Sequence, residues 1–215
     1  MILKGKMGED VMKRYFYIAK EYIKNHYVFH LVAAIIICMI SPLFMGTENL
    51  NAVMTARVLE QYISLIGIIL FVPIFLPDQD IEIRNLIRSK KEPVIRIKII
   101  RLLEEVVALA GIVTVYIFYL IASHCSFPVW NYWFGTVSTC IFLGGIGILT
   151  YALIDNPPIA YAIPLLYYML CYGSGEKYLG KFYLFSMSSQ TVSDKIYLLA
   201  IGISMMFFGL WMKRR

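Results

Sequence analysis

Charge is scarce in this chain. Only 16% of its 215 residues are Asp, Glu, Lys or Arg, and 60% are apolar, against about 25% and 45–50% in an ordinary soluble domain. That shortage excludes a single soluble globule, because there is too little polar surface to wrap so much apolar side chain. With a mean hydropathy of +0.69, lipid is the alternative place to put it. Catalytic and energy-coupling motifs are lacking too. No Gly-x-x-x-x-Gly-Lys-[Ser/Thr] loop is present to cradle a nucleotide phosphate. His26, His30 and His124 are not at metal-site spacing, and the His26/His30 pair lacks the Glu of a zinc helix. Cys38, Cys125, Cys140 and Cys171 show neither metal-ligand spacing nor a disulfide framework, and read as small apolar side chains.

What the chain has is long apolar runs, at 28–45, 62–76, 106–122, 133–154, 159–172 and 196–212. A spanning helix needs about 20 mostly apolar residues to cross about 30 Å of hydrocarbon. Six such helices leave no room for a second, soluble domain. The second and fifth runs are short, and Val58-Leu59 and Pro157-Pro158 are expected to lengthen or set them. A signal peptide would resemble the first run, but Met45-Gly46-Thr47 is a poor cleavage site and five runs follow, so retention is expected. The central parts of all six runs lack Asp, Glu, Lys and Arg. Charges inside a membrane usually mark ion or proton paths, so their lack argues against an ion-coupled transporter.

The charges that do occur set an orientation. Sixteen of the twenty Lys and Arg fall in the N-terminal segment, between the second and third runs, and in the tail; Arg57, Lys177, Lys181 and Lys195 fall on the other side. Basic residues concentrate in cytoplasmic loops, so both termini are expected inside. The net charge of +6 then belongs to membrane topology, where anionic headgroups attract it, and no nucleic-acid partner is expected.

Ahead of the first run, Met12, Tyr15, Phe16, Ala19, Tyr22, Ile23 and Tyr27 share one helical face and Lys13, Arg14, Lys20 and Lys24 the opposite one. That pattern predicts an interfacial amphipathic helix over 10–27. Between the second and third runs, acidic residues lead and basic ones follow, from Asp78, Asp80 and Glu82 to Arg88, Lys90 and Lys91. This suits a short helix with anions at its start and cations at its end, and Ile83, Leu86 and Ile87 share a face. Pro93 suits the first turn of the next helix, which should run to about Ala122 and project below the membrane. Arg101 and Glu105 are spaced as an i, i+4 pair. The outer segment 173–195, with Tyr178, Phe182, Tyr183 and Phe185, is expected to dip back toward the headgroups. Gly144, Gly145 and Gly147 would let helices approach closely. Glu104-Glu105 resembles the paired glutamates of intramembrane CAAX-type proteases, but the expected arginine is missing, Ala108-Leu109-Ala110 being apolar, and no later run supplies the histidine and asparagine set.

Taken in order, these features resemble the membrane subunit of an ABC-2 type transporter, a short six-span exporter permease. The resemblance rests on the amphipathic segment 10–27, the charged inner segment Asp80-Ile81-Glu82-Ile83-Arg84-Asn85-Leu86-Ile87-Arg88-Ser89 followed by Lys98 and Arg101, the short turn Asp155-Asn156-Pro157-Pro158, the long outer segment before the last run, and the basic tail. It implies an all-α integral membrane fold of six transmembrane helices (ABC-2, or type V exporter-like), with an N-terminal segment at 1–27 and a six-span domain at 28–215 that includes the coupling-helix loop 78–92. It implies a permease working as a dimer with an identical or homologous permease, on separate ABC ATPase subunits that hold ATP and Mg; no catalytic site and no cofactor are expected in this chain. Glu82, Ile83, Arg84, Leu86, Ile87 and Arg88 would contact the ATPase. Tyr161, Tyr167, Tyr168 and Tyr172 would line a cavity for a hydrophobic or cationic peptide, in the bacterial cytoplasmic membrane. The competing reading is a non-transporting membrane protein, such as an immunity or assembly factor acting by contact.

Overall fold

A computed structural model describes residues 22–78, 94–189 and 193–213, and among them every regular element is helical. A π-helical turn, Ile23–Tyr27, runs into α1, Val28–Met45. Pro42 lies inside α1 and, lacking an N–H, strands the carbonyl one turn back. The Ser41 hydroxyl takes that role, donating to Cys38 O at 2.9 Å, while Tyr116 OH lies 2.6 Å from Ser41 Oγ and ties α1 to the third span. Of the expected amphipathic helix only residues 22–27 are described; residues 10–21 lie outside the described residues.

The second span is longer than its apolar run. It starts at α2, Ala52–Gln61, whose N-cap Asn51 accepts from Met54 N at 2.9 Å. A 3-10 turn (Ile63–Leu65), α3 (Ile66–Phe71) and a second 3-10 turn (Val72–Asp78) complete it. Such an irregular backbone is tolerated at membrane depth where protein rather than lipid surrounds it, and 78% of the span's most apolar window is buried. α4, Val94–Ala122, and α5, Val129–Ile154, follow. Asp155 closes α5 in the left-handed conformation at φ 55°, and the two prolines at the start of α6, Pro157–Ser174, reverse the chain. After a short α7, Glu176–Leu179, the chain turns back on itself and enters α8, Ser193–Met212.

Five stretches are long and apolar enough to cross a membrane: Val28–Met45, Ala52–Pro77, Ile95–Ala122, Val129–Ile154 and Ser193–Met212. This is a membrane protein. α6 also runs between the two ends of the bundle, but its prolines and tyrosines dilute it, and it does not reach the same standard.

α5 is the hub, and its glycines explain how. A Cβ on Gly145 would lie 2.6 Å from Gly202 O of α8, one on Gly144 2.3 Å from the Phe71 ring, and one on Gly147 2.5 Å from Val72. Gly67 of α3 is pressed against the Cys140 backbone, where a Cβ would sit 2.2 Å from the carbonyl oxygen. Three of these are the glycines expected to let helices approach closely; their absent side chains allow α3 and α8 to lie backbone-close against α5.

Candidate functional site

Charged side chains collect at both ends of the bundle. At the end holding Tyr22 and Lys213, the first turns of α4 grip the ends of the neighbouring spans. Pro77 cannot donate to Ile74 O, the bond a 3-10 turn requires. Arg101 supplies it instead, donating to Ile74 O at 3.1 Å with its guanidinium 5.1 Å from the Tyr22 ring centre. Lys98 donates to Lys213 O at 2.6 Å, at the C-terminus of α8 where unmet carbonyls carry partial negative charge, and lies 5.2 Å over the Phe75 ring. Lys213 in turn pairs with Asp155 at 2.6 Å. Tyr22 OH donates to Glu105 Oε1 at 2.7 Å. Burial first, and the Glu105 charge second, push the Tyr22 phenol well above its ordinary pKa, so it stays a donor. Glu105, expected at the membrane surface, is thus fully buried, and the bond from Tyr22 ties it to the N-terminal segment.

At the opposite end, Glu60 of α2 and Lys195 of α8 form an ion pair of 2.7 Å, 1% and 0% exposed. Lys195 also donates to Thr139 Oγ1 at 3.0 Å and to Leu184 O, and Glu60 Oε1 accepts from Met187 N at 2.8 Å. The pair therefore pins the turn before α8, whose Leu184 and Met187 are buried in the bundle. Tyr168 OH donates to Gln61 O at 2.7 Å, and Phe185 meets Tyr168, Tyr172 and Tyr183 edge-on. Leu184, Phe185 and Met187 thus form a plug of side chains seated on protein, while Tyr178 and Phe182 of the same segment stay exposed.

Glu60 and Lys195 lie just beyond the apolar runs, so their charges fall near the ends of the runs within the candidate spans Ala52–Pro77 and Ser193–Met212, while the centres of the six runs carry no Asp, Glu, Lys or Arg. Hydropathy cut both away, since Glu60 falls two residues before the run at 62–76 and Lys195 one before the run at 196–212. A buried pair with hydrogen bonds to backbone is nonetheless a neutral unit, so it is not by itself an ion path.

The residues expected to face an ATPase, Glu82, Ile83, Arg84, Leu86, Ile87 and Arg88, lie outside the described residues. Of the four tyrosines expected at a cavity, Tyr167 bonds Phe182 O at 2.7 Å, Tyr168 bonds Gln61 O, Tyr161 is half-buried and Tyr172 is exposed. Two apolar grooves lie between α1 and α4, and neither is lined by these tyrosines. The larger groove holds about 740 Å³, with Cys38 and Met39 facing Ile112 and Tyr116; a second of about 400 Å³ adjoins it through Leu31 and Ala108 and reaches Tyr27 and Glu104. Among the described residues no group of His, Cys, Asp or Glu is placed to hold a metal ion. No protein-family model, curated protein or solved structure matches this chain.

Proposed function

We propose that this chain is the membrane-spanning permease subunit of an ATP-driven ABC exporter, with six spans and both termini in the cytoplasm. α6 supplies the sixth crossing. The observation that carries this reading is the way the two helices flanking segment 79–93 are tied into the bundle. Just before it, Ile74 is held by Arg101; just after it, α4 holds the end of α8 through Lys98 and the N-terminal segment through Glu105. A partner that moves segment 79–93 would therefore move the second span, α4, α8 and the N-terminal segment as one body. That is the property required of a coupling helix in which Ile83, Leu86 and Ile87 enter an ATPase groove while Glu82, Arg84 and Arg88 make its polar contacts. In this reading two permeases pair, and a hydrophobic or cationic peptide passes between them along Tyr161, Tyr167, Tyr168 and Tyr172, in the bacterial cytoplasmic membrane.

Purification of the tagged protein from native membranes tests the reading. The expected result is recovery of an ABC ATPase in one-to-one ratio, lost in the Leu86→Asp/Ile87→Asp variant. Recovery of the chain alone, under conditions that keep known ABC complexes intact, would favour the contact-acting membrane protein instead.

A further inference from the structure

The α1–α4 groove has an asymmetric chemistry. Along most of its length its walls are apolar, and the polar groups nearby are already matched, as with Ser41, Tyr116 and Cys38 O. At one end this changes. Tyr27 and Glu104 line the narrower part of the groove, and Tyr27 OH and Glu104 Oε2 are buried with no hydrogen-bond partner among the described residues. Tyr27 is only 1% exposed. Buried polar atoms are rarely left unmatched, and each one that is asks for an explanation. Glu104 Oε2 belongs to a carboxyl group, which in its ionised form accepts and cannot donate. A ligand head that satisfies both atoms must carry N–H or O–H donors, and a positive charge suits it best.

The rest of the ligand follows from the walls. From Glu104 to Tyr119 the groove follows α4 for fifteen residues, about 22 Å at 1.5 Å per residue. A peptide lying extended there would strand its own N–H and C=O groups against apolar walls. An alkyl chain has none to strand. We propose that the α1–α4 groove binds a membrane lipid with a primary ammonium head, its amine held by Glu104 and Tyr27 and one acyl chain lying between α1 and α4. The head end is the end where Tyr22 and Lys213 lie, so the lipid comes from the leaflet on that side. This site is separate from the ATPase contact and stands whether or not the chain belongs to an exporter.

Gly111 offers a means of blocking the groove. It is part of the lining, and a Cβ added there meets nothing within 4 Å. Gly111→Leu therefore fills the groove without touching the packed side of α4. The test uses the full chain reconstituted in vesicles of equal phosphatidylethanolamine and phosphatidylcholine, extracted gently and read by native mass spectrometry. Phosphatidylcholine is the matched control, since its quaternary ammonium has charge but no N–H to donate. The expected result is retention of phosphatidylethanolamine over phosphatidylcholine by about tenfold, the order set by a charge-assisted hydrogen bond. Glu104→Gln should bring that ratio close to unity. Gly111→Leu should abolish retention of both lipids without lowering the unfolding midpoint. Equal retention of the two lipids, or a preference unmoved by Glu104→Gln, overturns the proposal. So does lipid retention unmoved by Gly111→Leu. With phosphatidylglycerol added, preferential retention of that anionic lipid overturns the ammonium head. Occupancy by a cationic peptide in place of lipid assigns the groove to a peptide and overturns the lipid.

Discussion

Removing either partner of the Glu60–Lys195 pair should cost far more than removing both. At 2.7 Å the attraction is about 6 kcal/mol with an effective dielectric constant of 20. Burial of each ion costs several kcal/mol in return, so the pair is close to neutral as a unit. Lys195→Met leaves the Glu60 carboxylate without its counterion, and Glu60→Gln leaves the Lys195 ammonium so. Each should destabilise by about 3–5 kcal/mol, roughly 6–20 °C in thermal midpoint for a chain of this size. In the double variant no charge remains. The glutamine introduced by Glu60→Gln can still accept from Met187 N through its amide oxygen, and the remaining cost is the bonds Lys195 made to Thr139 Oγ1 and Leu184 O, about 1–3 kcal/mol. The double variant should thus be more stable than either single one. Thermal unfolding of the purified protein in one detergent, followed by tryptophan fluorescence, measures all four corners of the cycle. Additive losses of about 6–10 kcal/mol in the double variant, twice the single cost, would refute the reasoning, as would a Lys195→Met midpoint equal to wild type.

Three further outcomes test the packing and the topology. Gly202→Ala puts a Cβ 2.8 Å from Phe142 Cα and should cost at least about 1–3 kcal/mol by overpacking, whereas Gly111→Ala, with open space, should gain up to about 1 kcal/mol of helix propensity; thermal midpoints that move in the same direction would contradict the packing. Tyr22→Phe removes the donor to Glu105 Oε1 and should cost about 1–3 kcal/mol, with faster hydrogen exchange over 22–27; unchanged exchange there would separate the N-terminal segment from α4. A membrane-impermeant maleimide applied to intact cells should label partly exposed Cys125 and leave buried Cys140 untouched. Labelling of Cys125 only after the cells are opened would reverse the proposed orientation.

Periodicity and composition reach the helices but not what joins them. Every one of the six apolar runs lies in or along a helix, because the 1.5 Å rise and the thickness of hydrocarbon leave little freedom. The glycine cluster of α5 was legible as a sign of close approach, yet nothing local names Gly202 or Phe71 as what approaches. The tyrosines at 22 and 27 were legible as an apolar helical face, but the bond from Tyr22 to Glu105 spans 83 residues of sequence. Glu60 and Lys195 were missed for a related reason. A hydropathy profile scores each charge against its immediate neighbours, whereas the group that makes Glu60 tolerable is 135 residues away.

That separation has a consequence for how the protein is made. The second span is synthesised with Glu60 in it long before Lys195 exists. At about 5–20 residues per second, 135 residues take roughly 7–27 s. Throughout that interval the Glu60 carboxylate has no counterion, and burying it unpaired would cost several kcal/mol. α2 therefore has reason to remain at the membrane edge or beside the translocation machinery until α8 arrives with Lys195.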